Sequence, residues 1–138
     1  PVKIIFGQTY RLLQQAKAAL VTSGTATLET ALFRVPQTVC YYTPVGKLIS
    51  FLRRHILKVK YISLVNLVAN KEVVRELVAD TMTVANVRSE LNALLNDETY
   101  RGQMLKEYDR MIKILGPAGA SHQAASKMIE LLSVRKGK

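Results

Sequence analysis

Apolar positions in the first 68 residues follow two alternating spacings. Short continuous apolar runs, typical of strands that are covered on both faces, occur at "VKIIF" (2–6), "AALV" (18–21) and "QTVCYY" (37–42). Apolar residues at helical spacing occur between and after them, in "TYRLLQQA" (9–16), "ATLETALFR" (26–34) and "KLISFLRRHIL" (47–57). "YISLVNLV" (61–68) is interpreted as a fourth strand or an extended segment. The alternation predicts an α/β fold with a parallel sheet and right-handed crossovers.

The rest of the chain has a different pattern. Amphipathic helices are predicted over "KEVVRELV" (71–78), "TVANVRSELNALLN" (83–96), "DETYRGQMLKEYDRMIKILG" (97–116) and "SHQAASKMIELLSV" (121–134). Thr83 is predicted to cap the second of these helices and Asp97 the third. Gly116-Pro117 is predicted to end the third helix, and Ser121 to start the fourth. We therefore predict a partial Rossmann-like region at 1–68 and a helical tail at 69–138. The opening "PVKIIFG" lacks an initiator Met, which suggests a piece of a longer protein.

Composition narrows the class of protein. Hydrophobic residues make up 49% of the chain, which favours a globular domain over disorder. No apolar run approaches the length of a membrane span, and no signal-peptide pattern occurs. The single cysteine, Cys40, rules out a disulfide within the chain and reads as a small buried hydrophobe rather than a nucleophile. The two histidines, His55 and His122, have no acid cluster nearby, so no metal site is predicted.

Charge leaves two interpretations open. The formal net charge is +10, concentrated in "RRHILKVK" and in the final "RKGK". Such an excess fits either a solvated basic surface or an anionic partner, namely a nucleotide, a nucleic acid or a membrane surface. Trp is absent and other aromatic residues are few, whereas proteins that bind single-stranded nucleic acid depend on stacking side chains.

The stretch "ALVTSGTATLET" (19–30) is the main candidate for chemistry. A predicted strand ends there on small hydroxylated residues and a glycine, and a helix begins. Ligands of open parallel sheets bind at the carboxyl ends of the strands, and free amide groups at a helix start attract anions. Gly24 permits close approach of a ligand because it lacks a Cβ atom. Hydroxyl groups are offered by Ser23, Thr25 and Thr27. Glu29 is placed to accept hydrogen bonds from the hydroxyls of a ribose. A purely structural reading stays open: Thr25 caps the helix and Glu29 favours its dipole.

Four segments, in order, resemble the lipid-A-disaccharide synthase family, glycosyltransferases of the GT-B class. "SGTATLE" (23–29) resembles the donor-site signature, and "VPQTVCYYTP" (35–44) resembles the next strand and turn. "YISLVNLVANKEVVRELV" (61–78) resembles the stretch built around Ser-Leu-Pro-Asn-Leu, with Val65 in place of the proline, and "SHQAA" (121–125) resembles the start of the last helix. The resemblance covers essentially the whole chain and corresponds to the carboxy-terminal, donor-binding part.

The resemblance implies an inverting transfer without a metal or other cofactor. UDP-2,3-diacylglucosamine would donate its sugar to 2,3-diacylglucosamine 1-phosphate, which forms the lipid A disaccharide of Gram-negative envelopes. The acceptor site and the presumed base would lie outside these residues. Asn66 matches a donor-site amide, and Gly7, Glu76 and Gln123 are further candidates for the same pocket. Glu76 also fits a structural role, in a salt bridge or a helix cap. The implied location is cytoplasmic and peripheral, on the inner face of the inner membrane.

Partners and alternatives follow from the same residues. Arg53, Arg54, Lys58 and Lys60 are compatible with an anionic membrane surface, and the tail is compatible with exchange between two protomers, as the resemblance implies. Nucleic acid is not an expected partner.

Two other functions stay open. The first is another UDP-sugar transferase of the GT-B class, such as the peptidoglycan glucosaminyltransferase. The second is a basic, non-enzymatic module that binds nucleic acid or membrane.

Overall fold

The computed structural model describes residues 2–22, 24–42, 60–116 and 119–136. Its centre is an open parallel sheet in the order β1–β2–β3, with β1 at Ala19–Val21, β2 at Gln37–Tyr41 and β3 at Glu76–Val78. Ala19 pairs with Gln37, and Val39 pairs with Glu76. The α-helices of the described residues are α1 (Thr9–Leu13), α2 (Gly24–Leu32), α3 (Leu64–Ala69), α4 (Val84–Asn96), α5 (Glu98–Leu115) and α6 (Ala120–Lys136), and a 3-10 helix covers Ala79–Thr81. The predicted α/β fold with a parallel sheet is confirmed.

The core lies between the sheet and helices α2, α3, α4 and α5. Val39 of β2 and Val65 of α3 are almost wholly buried, as are Leu94, Tyr108 and Met111 of the two long helices. Cys40 is also buried, and burial raises the pKa of its thiol. The prediction that Cys40 is a packed hydrophobe is therefore confirmed.

Helices α4 and α5 begin where the sequence predicts. Thr83 Oγ1 accepts a hydrogen bond from the amide of Asn86 at 3.1 Å, and Asp97 Oδ1 accepts one from the amide of Tyr100 at 2.9 Å. Both predicted caps are thus confirmed. Helix α5 ends at Leu115, and Gly116, which follows it, has a φ of +75°. Helix α6 begins at Ala120, one residue before the predicted start.

The strand predicted at 2–6 is wrong. These residues have no regular secondary structure, and the sheet contains no ladder from them to β1. Val2, Ile4 and Phe6 are exposed at 93%, 77% and 85%. A β-branched apolar run forms a strand only where a neighbouring strand accepts its backbone hydrogen bonds, and none of the three described strands does so here.

The two elements predicted between 61 and 78 are interchanged. The expected strand at 61–68 is largely helix α3, which Ser63 caps by accepting a hydrogen bond from the amide of Asn66. The expected helix at 71–78 instead contains strand β3. Leu77 and Val78 of β3 are both buried, as a strand covered on both faces requires. Val65, at the position where the resemblance predicts a proline, is fully buried and lies within α3.

Some predictions fall outside the described residues. They include Ser23 and the helix at 47–57 with Arg53, Arg54, His55 and Lys58. The division into 1–68 and 69–138 stays a prediction, although β3 lies beyond that boundary. Within the described ranges, no helix has both the length and the hydropathy that crossing a membrane requires.

Candidate functional site

The turn after β1 delivers the start of α2 to the carboxyl edge of the sheet. β1 ends at Val21, and α2 begins at Gly24. The first amides of a helix lack partners within it and carry its positive end. A Cβ built at Gly24 meets no heavy atom within 4 Å, so the space in front of this residue is open. Thr25 is exposed, and it follows Gly24 at the same helix start.

Thr27 serves the interior of the protein. It is fully buried, and its Oγ1 donates a hydrogen bond to the carbonyl oxygen of Gly24 at 2.6 Å. Its own carbonyl accepts a hydrogen bond from Nε2 of Gln37 at 2.9 Å. Of the two threonines described at this helix start, Thr25 is therefore the exposed one. A contact between Thr27 and a ligand stays a prediction.

Glu29 and Gly7 lie in the same cleft. The cleft has a volume of about 530 Å³ and is lined by Gly7, Gln8, Thr9, Tyr10, Arg11 and Glu29. Glu29 is half-buried, and no hydrogen bond or ion pair joins its carboxylate to any described residue. Its oxygens are therefore free to accept hydrogen bonds from a ligand. Gly7 has a φ of +67°, a conformation that glycine adopts without strain.

The segment 8–11 of this cleft was not predicted as part of the site. It forms the start of α1, with the hydroxyl of Thr9, the ring of Tyr10 and the guanidinium of Arg11. The sequence signal was a cluster of polar side chains directly after Gly7. That signal is weak by itself, because only the fold brings 8–11 next to Glu29.

Asn66 is buried in a polar network and not in the cleft. Its Oδ1 accepts hydrogen bonds from the amides of Val73 and Val74 at 2.7 and 2.9 Å. Its Nδ2 donates to the carbonyl of Val74 at 2.8 Å and to Glu76 Oε1 at 2.9 Å. The side-chain amide thus has all its hydrogen-bonding positions filled by the protein. A contact between Asn66 and a donor stays a prediction beside this structural role.

Glu76 binds the start of α3. Its carboxylate accepts hydrogen bonds from the amides of Ile62 and Ser63 at 2.9 to 3.1 Å, and from Ser63 Oγ at 2.8 Å. These bonds satisfy backbone donors just before and at the helix cap. The geometry fits the structural interpretation of this acid, and a ligand contact of Glu76 stays a prediction.

Gln123 lies on α6, where its side chain is exposed. It is not among the residues that line the cleft of Gly7 and Glu29. Its predicted contribution to the donor pocket stays a prediction. The structure thus brings Gly7 and Glu29 together in one cleft, and Asn66, Glu76 and Gln123 are not among the residues that line it.

Side chains of β2 and α5 hold α2 in place. Gln37 Nε2 donates to the hydroxyl oxygen of Tyr108 at 3.3 Å as well as to Thr27, and the Tyr108 hydroxyl donates to the carbonyl of Val35 at 3.3 Å. Burial raises the pKa of the Tyr108 hydroxyl, which keeps it neutral as a donor. An ion pair between Arg34 and Asp109 adds a further link between the end of α2 and α5.

Comparison with known proteins identifies the family. A family model described as lipid-A-disaccharide synthetase matches residues 2–129. The chain is 38% identical over 136 residues to the lipid-A-disaccharide synthase of Psychromonas ingrahamii, covering 99% of this chain and 34% of the relative. It is 37% identical over 131 residues to that of Syntrophus aciditrophicus, covering 95% and 34%. The chain therefore spans about a third of the length of these curated relatives, and it belongs to the lipid-A-disaccharide synthetase family.

Proposed function

We propose that this chain is the donor-binding part of a glycosyltransferase of the lipid-A-disaccharide synthase type. The whole enzyme would transfer 2,3-diacylglucosamine from UDP to 2,3-diacylglucosamine 1-phosphate. Family membership supports the reaction class. One observation supports the donor site: the half-buried carboxylate of Glu29 lines a cleft and has no hydrogen-bond or ion-pair partner among the residues that the structure describes. An acid on the helix that follows a sheet strand is suited to accept hydrogen bonds from the two ribose hydroxyls.

The electrostatics of the same region suit a departing diphosphate. Transfer of the sugar leaves negative charge on UDP, and fixed dipoles and cations lower the energy of such a state. The amides at the start of α2 and the hydroxyl of Thr25 supply dipoles, and Arg11 supplies positive charge in the cleft. Glu29 lies about one turn deeper in α2, so it would hold the ribose while the helix start faces the phosphates.

The proposal extends to location and partners. Both lipid substrates are amphiphilic, so we propose a peripheral position on the cytoplasmic face of the inner membrane. The net charge of +10 supports attraction to an anionic membrane surface. Exchange of the helical tail in a homodimer is also proposed. It is compatible with α6, on which Met128, Ile129 and Leu131 are exposed at 64%, 67% and 68%.

The decisive experiment measures UDP affinity by calorimetry for the wild type and for Glu29→Gln. Loss of the charged acceptor should weaken binding about tenfold or more, because each hydrogen bond to a charged group is worth roughly 1.5–3 kcal/mol. Glu98→Gln is the matched control, since Glu98 is an exposed acid in the first turn of α5, outside the cleft. Its affinity for UDP should equal that of the wild type.

Two results would contradict the proposal. One is the absence of UDP binding at millimolar concentration. The other is an equal effect of Glu29→Gln and Glu98→Gln. Competition between UDP-2,3-diacylglucosamine and UDP-N-acetylglucosamine separates the proposed enzyme from the peptidoglycan transferase, because the proposed donor site should prefer the diacylated sugar.

A further inference from the structure

We propose that Tyr10 provides a stacking surface for the nucleobase of the donor. This inference rests on the proposed function, because it assumes that a nucleotide occupies the cleft of Glu29. The cleft contains one ring, that of Tyr10, among its lining residues within the described part of the chain. Stacking of a base on an aromatic side chain is a general source of nucleotide affinity.

The ring of Tyr10 is fixed on one side and open on the other. Its centroid lies 5.2 Å from that of Phe33, and the two rings are stacked with an interplanar angle of 27°. Nevertheless 56% of the Tyr10 surface is exposed, and the residue lines the cleft. A ring that is already supported on one face loses less conformational freedom when a base covers the other face.

Helix geometry places this ring beside the ribose-binding acid. Phe33 lies four residues after Glu29, and its amide donates to the carbonyl of Glu29 at 3.1 Å, as in a helical turn. Residues at this spacing lie on the same face, with Cβ atoms about 5–6 Å apart. Tyr10 stacks on Phe33, and Tyr10 and Glu29 both line the cleft. A nucleoside likewise carries its base and its ribose hydroxyls side by side.

This arrangement predicts affinity without strong base selection. Every base has a π-face, so stacking alone tolerates different bases. Tyr10 should therefore strengthen binding of any nucleotide whose ribose reaches Glu29. Selection of uracil would depend on hydrogen bonds from other groups.

The test compares UMP with ribose 5-phosphate, which lacks the base. Dissociation constants are measured on the full chain for the wild type, Tyr10→Phe and Tyr10→Leu. Tyr10→Leu should weaken UMP binding roughly 5- to 100-fold and leave ribose 5-phosphate unchanged. Tyr10→Phe should retain UMP binding within about threefold, because stacking does not need the hydroxyl. Tyr42→Leu, at an exposed tyrosine outside this cleft, is the matched control and should change neither constant.

Nuclear magnetic resonance of the wild type gives an independent measurement that does not depend on the folding of a variant. Bound uracil should show upfield shifts of H5 and H6 from the tyrosine ring current, and unshifted H5 and H6 in the complex with the wild type would overturn the stacking role. Equal weakening of UMP and ribose 5-phosphate, or no weakening of either, would overturn the stacking role. If UMP binding depends on Glu29 but not on Tyr10, only this inference fails. If the wild type binds neither UMP nor UDP, the proposed function fails with it.

Discussion

Replacing Asn66 by alanine should destabilise the protein strongly, since this side chain closes a buried network. Four hydrogen bonds join it to the amides of Val73 and Val74, the carbonyl of Val74 and the carboxylate of Glu76. Asn66 is fully buried, so water does not replace these bonds when the amide is removed. The bonds hold the turn between α3 and β3, and with it the pairing of β3 with β2.

The size of the effect follows from the number of bonds. A net contribution of about 1 kcal/mol per bond gives a loss of roughly 4 kcal/mol in the free energy of unfolding. The total stability of a domain is about 5–15 kcal/mol, so this loss is a large fraction of it. Asn66→Asp should also be destabilising at neutral pH. It keeps the acceptors for the two amides, but it places a carboxylate beside Glu76.

Urea unfolding followed by circular dichroism measures this loss. The midpoint for Asn66→Ala should fall by about 2 M, given a slope of about 2 kcal/mol per M. Asn92→Ala is the control, because Asn92 is exposed on α4, and its stability should stay within about 0.5 kcal/mol of the wild type. A loss below about 1 kcal/mol for Asn66→Ala would refute the reasoning. UDP affinity, measured where both forms are folded, separates this role from the predicted donor contact.

Three further predictions concern stability and the site. Hydrogen bonding to Lys71, with further support from Arg110, lowers the pKa of Glu107 below 4.5. The stability that the ionised carboxylate contributes is therefore fully present above pH 4.5 and is lost as the pH falls through the lower folded pKa. Glu107→Gln should flatten the acid limb of the unfolding free energy below that pH. Gly24→Ala should leave the melting temperature unchanged or higher, because the space is open, while weakening UDP binding in calorimetry. Gly7→Ala should lower the free energy of unfolding in urea by about 1 kcal/mol, because φ is +67° there.

Local chemistry made much of the fold predictable. Thr83 and Asp97 carry the side-chain oxygens that helix starts require, and the long amphipathic pattern after each residue fixes its helix. The runs at 18–21 and 37–42 were predicted as strands for a similar reason, since they are continuous and bounded by polar or turn residues. For the two helix starts the deciding contacts lie within three residues, whereas the two strands also need the pairing of Ala19 with Gln37 and of Val39 with Glu76.

The stretch 61–78 could not be assigned in this way. Short apolar runs fit a buried strand or a buried helix equally well. The choice was made by bonds that connect Asn66 and Ser63 to Glu76, ten and thirteen residues away. Likewise, Glu29 was recognised from its helix, but its cleft partner Tyr10 lies on a different element. Periodicity carries no information about such contacts between elements.

Support of α2 by α5 has a consequence for shortened versions of the protein. Gln37, Tyr108 and the pair Arg34–Asp109 connect the helix that carries Glu29 to a helix about seventy residues downstream. A chain cut after Asn96 would expose the apolar side of α2 and leave the Val35 carbonyl without its donor. Screening for a minimal nucleotide-binding fragment should therefore retain residues up to the end of α5, because a shorter piece would lose its affinity through loosening of α2 rather than through loss of a ligand contact.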